Sequence, residues 1–134
     1  MSKAIYDAEA TVLLKADGSA AVTSTEASTA VDFAWEAGNA FAVVINVTDA
    51  VVSTDETYTF SVRSLDSAGS NAVAQVTIPT IAEAGTYYVL VDAGTAVSFD
   101  EDAAKIDVNC TIAGTAPSIT YSAWLNPIRG VGRP

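Results

Sequence analysis

The chain has no histidine, one cysteine, one methionine and only six basic residues. Each shortage excludes a class of chemistry. Without histidine there is no imidazole to serve as a general base near neutral pH or as a ligand for zinc or copper. A single cysteine, Cys110, cannot close an internal disulfide. Sixteen acids against six bases leave a net charge of −10, which repels phosphate backbones and argues against nucleic-acid binding. No apolar run approaches the roughly 20 residues of a membrane-spanning helix. The first residues, Met1-Ser2-Lys3-Ala4-Ile5-Tyr6-Asp7, lack the apolar core of a secretory signal. The expectation is a protein made in a cytoplasm and left unprocessed at this end.

What the chain has is alternation. Half of it is apolar, mostly Ala and Val with little Leu, a composition suited to closely packed sheets. Thr11–Ala16 and Ala20–Ser24 flank Asp17-Gly18, the dipeptide of a tight hairpin. Ala30–Glu36 puts Val31, Phe33 and Trp35 on one face, and Phe41–Thr48 puts Phe41, Val43, Ile45 and Val47 together after a Gly38-Asn39 turn. Thr57–Leu65, Ala72–Ile78, Lys105–Ala113 and Ser118–Leu125 alternate in the same way. Thr86–Asp92 is apolar on both faces, which predicts a strand that is central or covered. Thr80-Ile81-Ala82-Glu83 matches a capping box before Gly85 and predicts one short helical turn.

Strands at this spacing predict an all-β domain: an antiparallel two-sheet sandwich of jelly-roll or Greek-key type. The expected layout is an N-terminal arm over 1–10, the sandwich over 11–125 and an extended tail over 126–134. The tail, Asn126-Pro127-Ile128-Arg129-Gly130-Val131-Gly132-Arg133-Pro134, has two prolines and no alternation. It carries Arg129 and Arg133, whereas all sixteen acids lie before it. A basic tail on an acidic body suits pairing with a neighbouring copy or an acidic groove.

Catalytic and metal candidates are thin. Cys110 is in phase with Ile106, Val108 and Ile112, so it reads as a buried, inert hydrophobe. Asp100-Glu101-Asp102 and Asp55-Glu56 lack the spaced carboxylates of a calcium loop and read as solvated acidic turns. Asn46-Val47-Thr48 and Asn109-Cys110-Thr111 match the glycosylation sequon but fall inside strands. No catalytic residue, metal site or cofactor is expected. The aromatics say more. Trp35 belongs to the inward face. Trp124 lies on the face shared by Thr120 and Ser122, a candidate interface anchor. Tyr87 and Tyr88 point to opposite faces, so one of them meets something beyond the main core. The candidate partner-binding residues are Tyr87, Tyr88, Trp124, Asn126, Pro127, Ile128, Arg129 and Arg133. Apolar surface beyond one core also predicts self-association through Thr86–Asp92 or the strand bearing Trp124.

The second half resembles a known family. Phe60-Ser61-Val62-Arg63-Ser64-Leu65-Asp66-Ser67, Ile78-Pro79, Gly85-Thr86-Tyr87-Tyr88-Val89-Leu90-Val91 and Ile119-Thr120-Tyr121-Ser122-Ala123-Trp124-Leu125, across residues 57–126, look like the jelly-roll decoration (cement) proteins of tailed-bacteriophage heads. The resemblance implies a non-enzymatic structural protein on the capsid exterior of the virion, made in the host cytoplasm. Its implied partner is the major capsid protein, whose neighbouring subunits it bridges, and it favours a homodimer over a trimer. The alternative is an Ig-like or carbohydrate-binding sandwich of a tail fibre or adhesin, with Tyr87, Tyr88 and Trp124 forming a saccharide platform.

Overall fold

A computed structural model of the chain describes residues 12–32, 40–78, 80–92 and 102–128. Among the described residues nine strands appear in order: β1 (Val12–Lys15), β2 (Glu26–Ala27), β3 (Val31–Asp32), β4 (Ala40–Ala50), β5 (Thr57–Leu65), β6 (Val73–Ile78), β7 (Gly85–Asp92), β8 (Lys105–Ala113) and β9 (Ile119–Ile128). All pairings are antiparallel. The front sheet runs β1-β9-β4-β7; the back sheet runs β2-β8-β5-β6, with β3 also on β8. Treating β2 and β3 as one interrupted strand, first pairs with last, second with second-last, and so on inward to the β5–β6 hairpin. That is an antiparallel ribbon rolled up once, the wiring of a jelly roll.

One core fills the space between the sheets. Val43, Ile45 and Val47 of β4, Ile119, Tyr121, Ala123 and Leu125 of β9, and Val91 of β7 face Tyr58, Phe60 and Val62 of β5 and Ile106, Val108 and Cys110 of β8. These are the alternate residues of each strand, as a half-buried sheet requires. Phe60 and Tyr121 meet edge-on across the sheets, 4.9 Å between centroids at 73°. The Tyr58 hydroxyl donates to the Val51 carbonyl at 2.5 Å and accepts the Ser118 N–H at 2.9 Å. It thereby ties the end of β4 to the start of β9.

Four sequence expectations need correction. Asp17-Gly18 turns, with Gly18 at φ +83°, but closes no hairpin. β1 pairs β9, and after the excursion Val22 returns to bridge Ile119 on that same strand. The segment Ala20–Ser24 is therefore a single bridge. Thr80–Glu83 forms no helical turn: Ile81 is drawn into the core, and its N–H donates to the Tyr58 carbonyl at 2.9 Å. Thr86–Asp92 is an edge strand, β7, with β4 as its single neighbour in the sheet among the described residues. Finally, β9 runs on to Ile128, so Asn126, Pro127 and Ile128 belong to the sheet and the strand does not end at Leu125. Residues 1–10, Phe33, Trp35, the Gly38-Asn39 turn, Arg129 and Arg133 lie outside the described residues.

The acids at the sandwich ends are structural. Glu56 is buried, and its Oε1 accepts the N–H groups of Ser53 (2.9 Å) and Thr54 (3.0 Å). Asp55 accepts the Thr115 N–H at 3.0 Å and its hydroxyl at 2.9 Å. The expectation of a solvated Asp55-Glu56 turn therefore fails for Glu56, which is buried, and holds for Asp55, which is exposed. Gly114 lets the two loops meet: at φ +119°, a Cβ there would fall 2.6 Å from the Glu56 Cα. Any side chain at 114 forces these loops apart.

Candidate functional site

The strand registers arrange the outward residues of the front sheet into cross-strand rows. Leu13 pairs Trp124, Trp124 pairs Val44, and Val44 pairs Tyr88. This row crosses all four strands and is apolar or aromatic throughout. The next row toward the C-terminal end of β9 is Asn126, Ala42 and Leu90. On the other side lies a polar row, Ser122, Asn46 and Thr86, in which the Thr86 hydroxyl donates to Asn46 Oδ1 at 3.0 Å.

Burial varies along these rows. Leu13 is 57% exposed, Tyr88 63% and Leu90 62%. Trp124 is half-buried, and Ala42, Val44, Ser122 and Asn126 are buried although they point away from the core. Neither amide atom of Asn126 has a hydrogen-bond partner. The exposed apolar surface therefore concentrates at the two margins of the face, on β1 and above all on β7.

The predicted aromatics fall as the alternation requires. Tyr87 turns inward against the core, and its hydroxyl donates to the Glu83 carbonyl at 2.7 Å. Tyr88 points out. Trp124 stands on the outer face two strands away, roughly 10 Å given strand spacing. The structure brings Trp124, Tyr88 and Asn126 onto one face and sends Tyr87 to the other side. Leu13, Val44 and Leu90 complete the surface and escaped the sequence reading. The signal for Leu90 was present, since it shares the parity of Tyr88. Leu13 and Val44 become visible only once the registers are known.

The outer face of the back sheet is different. Thr59 and Ser61 of β5, Asn109 and Thr111 of β8, and Thr77 of β6 give it hydroxyl and amide groups. Ser61 and Thr77 bond across strands at 3.3 Å. Arg63 and Asp107, also directly opposite, form a two-pronged ion pair: Nε to Oδ1 at 2.9 Å and Nη2 to Oδ2 at 2.7 Å. This geometry gives a charge-assisted pair its strength.

At the β1/β2 margin the sheets are clamped by polar groups. Lys15 Nζ lies 3.0 Å from Glu26 Oε2, which also accepts the Tyr121 hydroxyl at 2.9 Å. The ammonium sits 5.2 Å from the centre of the Tyr121 ring. An open depression of about 370 Å³ lies here, lined by Leu13, Lys15, Ser19, Glu26 and Ser28 among others. Its lysine is paired with Glu26, and the Ser19 and Ser28 hydroxyls that line it are bonded to backbone groups: Ser19 donates to the Ala16 carbonyl and Ser28 accepts the Val108 N–H. Cys110 is fully buried behind it, and burial, reinforced by the Glu26 charge, pushes its thiol up to about 12. At neutral pH it is a protonated thiol, a poor nucleophile. Among the described residues no group of three acids or cysteines is placed to hold a metal ion. Asp102, the one described member of Asp100-Glu101-Asp102, is exposed in a turn.

Compared with known protein families, curated proteins and solved structures, the chain matches none.

Proposed function

We propose that this protein is a non-enzymatic capsid decoration protein: it binds the outside of a bacteriophage head and bridges neighbouring major-capsid subunits. The observation that carries the reading is the set of apolar side chains left exposed at the two margins of the front face, Leu13 on β1 and Tyr88 and Leu90 on β7, with Trp124 half-buried between them. A fully solvated sheet face alternates toward polar residues, as the back sheet does. Exposed apolar groups flanked by polar ones mark an interaction surface. Decoration needs no turnover, only modest contacts repeated over many subunits. Burying Tyr88 or Leu90 contributes about 1.5 kcal/mol each, and repetition over a lattice multiplies the effect. A protein that binds the assembled shell and not its free subunits stabilises the shell by mass action. The jelly-roll wiring and the likeness of residues 57–126 to cement proteins support the same reading.

The test is co-sedimentation with purified phage heads stripped of decoration. The reading predicts saturable binding at a fixed ratio to the major capsid protein, and shells that resist heat better when coated. Failure to bind any expanded shell from the phage that encodes it would overturn it. A second reading, a carbohydrate-binding sandwich, draws on Tyr88 sharing its face with the Thr86–Asn46 pair, since saccharides take an aromatic platform beside polar groups. A glycan array decides that reading, and the capsid reading predicts a blank array.

A further inference from the structure

Among the described residues the two sheets have four edges, and three of them are blunted. β1 is four residues long, its register with β9 shifts between Leu13 and Lys15, and Lys15 points inward to Glu26. The β8 side of the back sheet is covered by two-residue strands and by hydroxyls: Thr25 Oγ1 accepts the Ile112 N–H and Ser28 Oγ the Val108 N–H, both at 2.9 Å. β6 carries a register shift against β5 between Val62 and Arg63, and Pro79 follows it. Short strands, bulges, inward charges and proline are the devices by which sheets avoid pairing with other chains.

β7 has none of them. It is eight residues long and pairs with β4 from Ala40↔Asp92 to Val47↔Gly85 without a shift. It holds no proline and no lysine, and its one charged residue, Asp92, is at its end. It also bears the two most exposed large apolar side chains among the described residues, Tyr88 and Leu90.

We infer that β7 pairs antiparallel with β7 of a second copy about a two-fold axis at Val89, joining the two front sheets into one eight-stranded sheet. Antiparallel pairing keeps side chains on the correct face only when opposed residues share parity. An axis at Val89 meets this condition and sets Tyr88 opposite Leu90 of the second copy, and Leu90 opposite its Tyr88. Shifting the axis to Tyr88 would set Leu90 opposite Thr86 and lose the apolar match. With the axis at Val89, Asp92 falls opposite Thr86, so no acid faces another acid across the join, even in a chain of net charge −10. The paired strand edges and the flanks of Tyr88 and Leu90 that meet across the join bury roughly 600 Å² in all, the range of a weak association, so the dimer forms at high micromolar concentration. The two-fold also leaves both outer faces on one side of the joined sheet, so a dimer presents the exposed Leu13, Tyr88 and Leu90 of both copies to a single surface. This inference does not rest on the capsid reading and survives its failure.

Sedimentation equilibrium of the full chain at high micromolar concentration tests it, alongside two sets of variants. The wild type is expected to be a dimer. Leu90→Lys, at an exposed position that folding of the single chain does not use, weakens association at least tenfold while the circular dichroism spectrum stays that of the wild type. Oxidising the Tyr88→Cys, Leu90→Cys double variant yields a covalent dimer, since cross-strand neighbours lie within disulfide reach. Tyr88→Cys alone does not, because its own copy is a diagonal neighbour. A monomeric wild type, an undiminished dimer in Leu90→Lys, or efficient cross-linking through Tyr88→Cys alone would each overturn the pairing.

Discussion

The two outer faces of the sandwich are built by the same alternation on strands of similar length, yet they present opposite chemistry. On the front sheet the outward positions hold Leu13, Val44, Trp124, Tyr88 and Leu90; on the back sheet they hold Thr59, Ser61, Thr77, Asn109, Thr111 and the Arg63–Asp107 pair. The inward positions of both are equally apolar, so the core did not demand the difference. Folding needs one apolar face per sheet. The centre of the front face, Ala42 and Val44, is already buried, so the apolar surface left open is at its margins, Leu13 on β1 and Tyr88 and Leu90 on β7, and on the proposed reading those margins are the working surface.

The largest expected effect breaks the front face. On the proposed function, replacing Tyr88 and Leu90 together by serine lowers affinity for capsids about 100-fold, near 3 kcal/mol, in a sedimentation titration, with the circular dichroism spectrum unmoved because both side chains are exposed. The converse belongs to the back face. Arg63→Ala strands the buried Asp107 carboxylate and costs about 2 kcal/mol of stability in urea unfolding, while capsid affinity holds. If Arg63→Ala abolished binding in protein that remained folded, the assignment of faces would be reversed.

The acids at the sandwich ends give a smaller, pH-dependent effect common to both sheets. The N–H groups of Thr115, Thr54 and Ser70 hold the carboxyls of Asp55, Glu56 and Asp66, respectively, below their ordinary values. Groups lowered in the folded state add stability that is complete above the ordinary carboxylate range and is lost as pH falls through it. Melting temperature should therefore fall steadily between about pH 5 and pH 2, and Glu56→Gln should flatten that slope while lowering stability at neutral pH. Smallest of all, Thr111→Lys on the exposed back face should change stability by less than about 0.5 kcal/mol and leave capsid binding as it was.

Much of the fold was legible because period-2 alternation is a local property. β5 and β8 begin and end where the pattern places them, at Thr57–Leu65 and Lys105–Ala113. Partnering is not local. Asp17-Gly18 has hairpin chemistry, but the chain on either side of it prefers the long β9 edge to its own neighbour. Thr80–Glu83 has helix-start chemistry, but a core vacancy beside Tyr58 takes Ile81 and its N–H. The two-faced apolarity of β7 was read as burial, when it marks an edge with an outer face still open to partners. Glu56 reads as a surface acid because the sequence carries no sign that the N–H and hydroxyl groups of Ser53 and Thr54 converge on it. For the candidate surface, parity alone places Trp124 outward and sets Tyr87 and Tyr88 on opposite faces, without deciding which of the two is the outer one. That Trp124 and Tyr88 share a row with Leu13 and Val44 depends on registers between distant segments.

The central claim is that the front face is the attachment surface. Side-chain footprinting by hydroxyl radicals, comparing the free protein with capsid-bound protein, tests it most directly. The account predicts that Leu13, Trp124 and Tyr88 lose reactivity on binding, while Thr59, Asn109 and Thr111, on the opposite face, keep theirs. Protection confined to the back sheet, with Trp124 and Leu13 as reactive as in the free protein, would contradict it.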